Sequence, residues 1–266
     1  MTTRDWIRAR EIEGLVTFSY EDVIKAFPTY TAQHVRNDLY RHCKAGIIAQ
    51  VYRGFYVVIP PHYAAKGIVP PVYYIDQLMS YLKRPYYVSL LSAAELLGAA
   101  HQRPQTFSVC SVFPKLNFKR ESSLELNYRA SINEKLLLTR NSETGIIRIS
   151  CPELTALDLV QYEQYIGGLS RAATVIEELS EQTDWTRACD NGLLEQATLS
   201  AVQRLGYILE NILQNRAQAD VLYAELKKRS PKLNRFPLSV RKGTEGAQVD
   251  KRWSILINTE IETDEI

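Results

Sequence analysis

The chain has 266 residues, of which 45% are hydrophobic and 23% charged, and its formal net charge is +2. This length allows one large or two ordinary globular domains with a sizeable core, and the near-balanced charge requires any basic surface to be local. Its apolar runs fall short of the roughly 20 residues that cross a bilayer, so we expect no membrane association. Its four cysteines lie far apart, with no CxxC pair and no secretory leader, so we expect reduced thiols and a cytoplasmic location.

The N-terminal segment begins with two predicted helices. Apolar spacing predicts a first helix over residues 3–13 and a second over residues 20–27. Ser19 is a favourable N-cap for the second helix, and Asp22, three residues later, completes a weak capping box. Pro28 cannot continue that helix, so a turn is expected after it.

A third helix and a hairpin follow. Thr31 is expected to cap the third helix, in which Val35, Leu39 and Cys43 form the buried stripe. Residues 47–51 and 55–59 are rich in β-branched and aromatic side chains and flank a turn that contains glycine, which predicts a two-stranded ribbon. Three helices and a ribbon in this order indicate a winged helix-turn-helix, a fold that commonly binds DNA.

The polar face of the third helix has the side chains of a recognition helix. Arginine can bond guanine or phosphate, glutamine and asparagine can bond adenine, and tyrosine and lysine commonly hold the backbone. The residues predicted to bind DNA are those of this face, the helix cap and the tip of the wing: Thr31, Gln33, Arg36, Asn37, Tyr40, Arg41, Lys44 and Arg53.

The same elements also occur in modules that dock onto protein. Residues 1–60 contain eight basic and six acidic side chains, and a net charge of +2 is small for a domain held by phosphate contacts. The positions of the basic residues favour DNA over a protein partner, because four of the eight lie on the predicted recognition helix or wing.

Paired prolines at residues 60–61 and 70–71 predict a domain boundary, because they interrupt both helix and sheet. We therefore expect a winged-helix domain at residues 1–61, a linker at 62–71 and a second domain at 72–266. The second domain is predicted to begin with helices over residues 72–82 and 89–99. Strand-like runs follow at residues 106–113, 116–119, 124–129, 135–139 and 145–150. Their short spacing favours antiparallel or mixed pairing over βαβ crossovers.

The last part of the chain is predicted to be mainly helical. Ser150, Pro152 and Glu153 indicate a capping box that opens a helix over residues 152–165. Further helices are predicted over residues 169–179, 193–205 and 215–228, and a final strand over residues 253–258. The predicted fold class is α+β: an N-terminal winged helix-turn-helix followed by a larger mixed α+β domain with a mainly antiparallel sheet and several helices.

Two further polar segments have side chains suited to nucleic-acid contacts. The loop of residues 101–103 (His-Gln-Arg) is either such a contact or a solvated loop. A basic run near the C-terminus is either the solvated end of a helix or a second nucleic-acid or partner surface, which would comprise Lys232, Arg235, Arg241, Lys242, Lys251 and Arg252.

Signatures of catalysis are lacking. The chain has no GxxxxGK[ST] loop, no GxSxG elbow and no HExxH pair, and its four histidines do not have metal-ligand spacing with the cysteines. We therefore expect no enzymatic activity, no cofactor and no metal.

Four segments, in this order, resemble the AbiEi-type antitoxins of bacterial type IV toxin-antitoxin systems. They are RGFYVVIPP (Arg53–Pro61), YYVSLLSAAELLGAAHQRPQTFSV (Tyr86–Val109), SCPELTALDLV (Ser150–Val160) and QRLGYILE (Gln203–Glu210). The resemblance covers nearly the whole chain. It is carried by the order and spacing of the segments, since short apolar helices with small residues are common.

This resemblance implies an antitoxin that counters a neighbouring nucleotidyltransferase toxin of the AbiEii type, a system of phage abortive infection. It also implies that the winged helix represses its own operon at inverted repeats in double-stranded promoter DNA, through the exposed face of residues 31–44 and the wing at Arg53. The family supplies no catalytic motif, and it leaves open whether the antitoxin touches the toxin. The alternative is a stand-alone winged-helix regulator whose C-terminal domain senses a ligand or dimerises.

Overall fold

A computed structural model describes residues 1–64, 67–99, 104–118 and 123–263. The chain forms two compact units. Unit 1 comprises Met1–Tyr87, Gln105–Ala130 and Thr139–Arg148, and unit 2 comprises Val88–Pro104, Ser131–Leu138 and Ile149–Ile266. The domain limits predicted at residues 61 and 72 stay a prediction. Within the described ranges, no helix is both long and apolar enough to cross a membrane.

Unit 1 begins with three helices and three strands. Their order is α1 (Thr3–Ile12), β1 (Thr17–Ser19), α2 (Tyr20–Ala26), α3 (Ala32–Lys44), β2 (Ile48–Tyr52) and β3 (Phe55–Val58). The strands form an antiparallel sheet in the order β1-β3-β2. The helices and the β2–β3 hairpin confirm the sequence prediction to within two residues at each end. Strand β1 was not predicted, because three residues are too few to show a strand periodicity.

The helix starts follow from local capping. The Ser19 hydroxyl accepts from the amide of Asp22 at 3.1 Å, and the Asp22 carboxylate accepts from the amide of Ser19 at 2.8 Å, which confirms the predicted capping box. The Thr31 hydroxyl accepts from the amide of His34 at 3.2 Å, so Thr31 is the N-cap of α3 as predicted. These caps satisfy amides that have no partner inside their own helix.

One apolar cluster holds these elements together. Val35 and Leu39, the predicted buried stripe of α3, are 0% and 1% exposed, and half-buried Cys43 packs against the same cluster. The other buried members come from α1, α2 and the three strands: Ile7, Phe18, Val23, Phe27, Ile48, Tyr56 and Val58. Burying one face of α3 in this way leaves its opposite face to solvent.

The chain continues with α4 (Pro61–Ala64), a 3-10 turn (Pro71–Tyr73), α5 (Ile75–Tyr81) and α6 (Leu90–Leu97). Five strands, β4 (Tyr86–Val88), β5 (Phe107–Val112), β6 (Leu124–Arg129), β7 (Leu137–Ser142) and β8 (Gly145–Ser150), form a sheet in the order β6-β5-β4-β8-β7. The α+β class with mixed strand pairing is confirmed.

The expectation of mainly antiparallel pairing is wrong for two strand pairs. Strand β5 pairs with β6 in parallel over its full length, and Val88 of β4 pairs in parallel with Ile149 of β8. The 11 residues between these strands, 113–123, come close to the dozen that a parallel crossover needs, and β6 starts at the same end of the sheet as β5. Residues 116–118 of the predicted strand 116–119 form no strand, because the amide and carbonyl of Leu116 bond instead to the hydroxyl of Tyr128. Residue 119 lies outside the described residues.

Unit 2 contains α6 and the helices α7 (Pro152–Gln161), α8 (Leu169–Leu179), α9 (Trp185–Asp190), α10 (Leu199–Tyr207) and α11 (Arg216–Arg229). The predicted capping box at Ser150 is wrong. The N-cap of α7 is Cys151, without a side-chain cap. The Ser150 hydroxyl lies 2.6 Å from that of Thr155, and the Glu153 carboxylate accepts from the amide of Asp184 at 2.5 Å. These contacts use the two side chains that a local capping box would need.

The helix predicted over residues 193–205 begins later than expected. Residues Leu194–Gln196 form a 3-10 turn, and Thr198 caps α10 by accepting from the amide of Ala201. Helix α10 then continues into a π-helical turn, Ile208–Ile212. The chain ends with β9 (Phe236–Pro237), β10 (Gln248–Asp250) and β11 (Ile255–Ile257), in the sheet order β10-β11-β9.

Candidate nucleic-acid interface and C-terminal domain

The polar face of α3 is exposed as one continuous stripe. Every residue predicted for this face is exposed, and Tyr40 keeps 60% of its surface accessible. Positions three, four, seven, eight and eleven residues apart fall on one side of a helix. The structure therefore brings Gln33, Arg36, Asn37, Tyr40, Arg41 and Lys44 together on the side of α3 that faces away from the core, whereas Thr31 is the exposed N-cap that precedes the helix and does not lie on this stripe.

The contacts within this face are local and exposed. Gln33 donates to Asn37 at 3.0 Å, and Arg41 pairs with Asp38 at 3.2 Å. The Lys44 ammonium lies 5.1 Å from the centre of the Tyr40 ring. Contacts of this kind contribute little stability in water, so these side chains can exchange them for contacts with a ligand at small cost.

The opposite side of α3 is fixed to α1. The Thr3 hydroxyl donates to Asp38 at 3.0 Å and lies 3.0 Å from Nε2 of His42. Burial lowers the pKa of His42 below its ordinary value, although the nearby Asp38 carboxylate opposes the shift. The orientation of α3 therefore depends on a polar contact as well as on the apolar core.

The β2–β3 hairpin, which is the predicted wing, turns at Gly54, whose φ of +75° favours glycine. Its carbonyl accepts from the amide of Tyr20 at 2.8 Å, and the Arg53 carbonyl accepts from the Tyr81 hydroxyl at 3.3 Å. Arg53, the predicted contact at the tip, is exposed. The sequence analysis missed Tyr81, because nothing in the order of residues relates a tyrosine on α5 to a turn 28 positions earlier.

The residues of the predicted C-terminal basic surface differ in their surroundings. Lys232, Arg235, Arg241 and Lys251 are exposed, and the exposed Lys242 donates to the Thr259 hydroxyl at 2.8 Å. Arg252 has a structural contact: its guanidinium pairs with Glu210 at 2.8 Å and with Asp220, and lies 4.6 Å from the ring centre of Tyr223. The polar loop of residues 101–103 lies outside the described residues.

The segment QRLGYILE on α10 fixes the C-terminal part of the chain. Gln203 donates to the carbonyls of Asn234 and Trp253, at 2.8 and 2.6 Å. Arg204 donates to the carbonyl of Pro237 at 2.9 Å. Two of the polar side chains of this segment therefore hold backbone that lies some 30 to 50 positions further along the chain.

Trp253 completes this attachment. It is fully buried, and its indole N–H donates to Glu210 at 2.7 Å. A Cβ on Gly206 would lie 2.0 Å from the Trp253 ring, so glycine is needed for the ring to lie against α10. The end of this helix predicted at residue 205 is wrong, because the helical run continues through residue 212.

Within the described part of the chain, no three His, Cys, Asp or Glu side chains converge as a metal site. The four cysteines form no disulfide with one another. Burial, with a smaller contribution from Glu225, raises the pKa of Cys189 to about 12, so this thiol stays protonated at neutral pH.

A family model and several solved structures match the chain. Residues 87–211 match the family model of the AbiEi antitoxin C-terminal domain. Among solved structures, the chain is similar to the crystal structure of RV2827C protein from Mycobacterium tuberculosis, with a TM-score of 0.66, 17% identity, and coverage of 95% of this chain and 91% of that chain. At this identity the similarity shows the fold alone. No curated protein matches the chain.

Proposed function

We propose that the protein is the antitoxin of a type IV toxin-antitoxin system, because residues 87–211 match the family model of the AbiEi antitoxin C-terminal domain. In this proposal it neutralises a nucleotidyltransferase toxin and represses its own operon by binding promoter DNA. It acts as a cytoplasmic binding protein and not as an enzyme. The family-model match is the observation that carries the proposal.

The DNA-binding part of the proposal is supported by the N-terminal 60 residues. The order α1, β1, α2, α3, β2, β3, with an antiparallel sheet, is that of a winged helix, in which α3 would be the recognition helix and the β2–β3 turn the wing. The exposed stripe of α3 supplies arginine for guanine or phosphate and amide side chains for adenine. The partner is double-stranded DNA with inverted repeats, which would be bound by two copies.

Promoter binding by the full chain tests this part. We expect Arg36→Ala or Arg41→Ala to weaken binding by about 1 to 3 kcal/mol if either side chain bonds a guanine. Arg187→Ala is the matched control, because Arg187 is exposed on α9 in unit 2. Equal affinity of both α3 variants and the control would place DNA contact elsewhere on the protein.

Salt dependence separates DNA from a protein partner. With about five phosphates neutralised, the logarithm of the association constant should fall against the logarithm of salt concentration with a slope near −4 to −5. A flat response would instead indicate a docking module. Promoter binding without any protection from the toxin would favour a stand-alone regulator.

A further inference from the structure

The wing is not isolated from the rest of unit 1. The Tyr52 ring on strand β2 lies 5.0 Å, centre to centre, from the Phe118 ring. An open pocket between the two is lined by residues 50–53 of the wing and by Asn117. We name residues Pro114–Phe118 the wing-side loop. None of the described residues that line this pocket is acidic.

The wing-side loop is held in place from its other side. Arg84 donates to the carbonyl of Phe113 at 2.9 Å, immediately before the loop. The Tyr128 hydroxyl accepts from the amide of Leu116 at 2.8 Å. Together with the contact of Phe118 on Tyr52, these bonds fix the backbone of the loop next to the wing, so its exposed side chains are presented in a defined position.

Two side chains of the loop are exposed and polar. Lys115 is exposed and carries a positive charge, and Asn117 is exposed beside Arg53 at the wing tip. Lysine, asparagine and arginine side chains hold nucleic-acid phosphates without reading sequence. Their positive charge favours a polyanion such as duplex DNA over an apolar or basic partner.

We propose that the wing-side loop extends the DNA interface beyond α3 and the wing, with Lys115 and Asn117 contacting the phosphate backbone of duplex DNA that lies along the wing. This inference rests on the proposed DNA binding of the N-terminal segment. It adds a contact that lies more than 60 residues beyond the wing in sequence and outside residues 1–61. The DNA-binding surface would then include part of the segment that matches the antitoxin family model.

The test is promoter binding by the full chain over a range of salt concentrations. Lys115→Gln should weaken binding roughly two- to fivefold, the effect of one exposed charge contact. It should also reduce the steepness of the salt dependence by about one, because one fewer counterion is released. Lys115→Arg keeps the charge and should keep the slope. Lys135→Gln, an exposed lysine in unit 2, is the matched control.

The loss of affinity caused by Lys115→Gln should be the same for the operator and for an unrelated duplex, since a phosphate contact carries no sequence information. If the wild type binds its promoter and Lys115→Gln matches Lys135→Gln in affinity and slope, the wing-side loop is not part of the interface, while the proposed DNA binding stands. If the wild type binds no promoter DNA, both the proposed DNA binding and this extension are overturned.

Discussion

Replacing Gly206 with alanine should show how strongly the C-terminal segment depends on helix α10. The added Cβ would lie 2.0 Å from one carbon of the Trp253 ring and 2.1 Å from another, far inside contact distance. Trp253 is fully buried and its N–H is bonded to Glu210, so a shift of the ring would disturb both its packing and that bond. Gly206→Ala must therefore shift the ring or the helix.

Two effects of this substitution oppose each other. Alanine is favoured over glycine inside a helix by about 1 kcal/mol. Overpacking a core costs about 1 to 3 kcal/mol, and expelling a buried aromatic side chain costs about 3 to 5 kcal/mol. We therefore expect Gly206→Ala to lower the free energy of unfolding by roughly 1 to 4 kcal/mol, the larger value applying if Trp253 leaves its site. The cost of the steric clash with Trp253 therefore exceeds the gain in helix propensity.

Urea denaturation followed by tryptophan fluorescence measures this change, and limited proteolysis reports whether the segment after residue 230 has been released. The control is Gly243→Ala, because a Cβ there meets nothing within 4 Å. We expect the control to change stability by at most about 0.5 kcal/mol. If Gly206→Ala were neutral or more stable than the wild type, Trp253 would not lie against α10 in solution and the account of the QRLGYILE segment would fail.

Two further predictions concern the N-terminal segment. Ser19→Ala removes the capping box of α2 and should lower the free energy of unfolding by about 0.5 to 2 kcal/mol, measured by urea denaturation; an unchanged value would show that α2 does not rely on this cap. Burial lowers the pKa of His42, so the unfolded chain takes up the proton more readily. Stability should therefore be full above a pH of about 6.5 and fall as the pH falls below it. His42→Gln should flatten this part of the profile, and an unaltered profile would assign the pH dependence to another group.

Features set by neighbouring residues were predictable from the sequence. The caps at Ser19 and Thr31 depend on an amide three positions away, and the helix over residues 169–179 was predicted with its observed bounds. The exposed face of α3 was predictable for the same reason, because a regular spacing of apolar residues defines its opposite side.

Features set by distant residues were not predictable. Glu153 has the position of a capping residue, but it bonds to an amide 31 positions later. Gly206 directly follows the predicted end of a helix at residue 205, but glycine is needed there because the Trp253 ring packs against it. The hydrogen bond from the Tyr81 hydroxyl to the Arg53 carbonyl likewise joins two elements whose proximity the spacing of apolar residues does not indicate. Each depends on tertiary packing, which local propensity does not record.

Growth rescue tests the antitoxin function most directly. Cells expressing the proposed partner, a nucleotidyltransferase toxin, would be grown with the full chain, or with the full chain carrying both Arg36→Ala and Arg41→Ala. We predict that both proteins restore growth when expressed from an unrelated promoter, because the proposal assigns neutralisation to the C-terminal domain, and that only the wild type binds its own promoter. Failure of the folded wild type to restore growth, while it still binds that promoter, would contradict the antitoxin function.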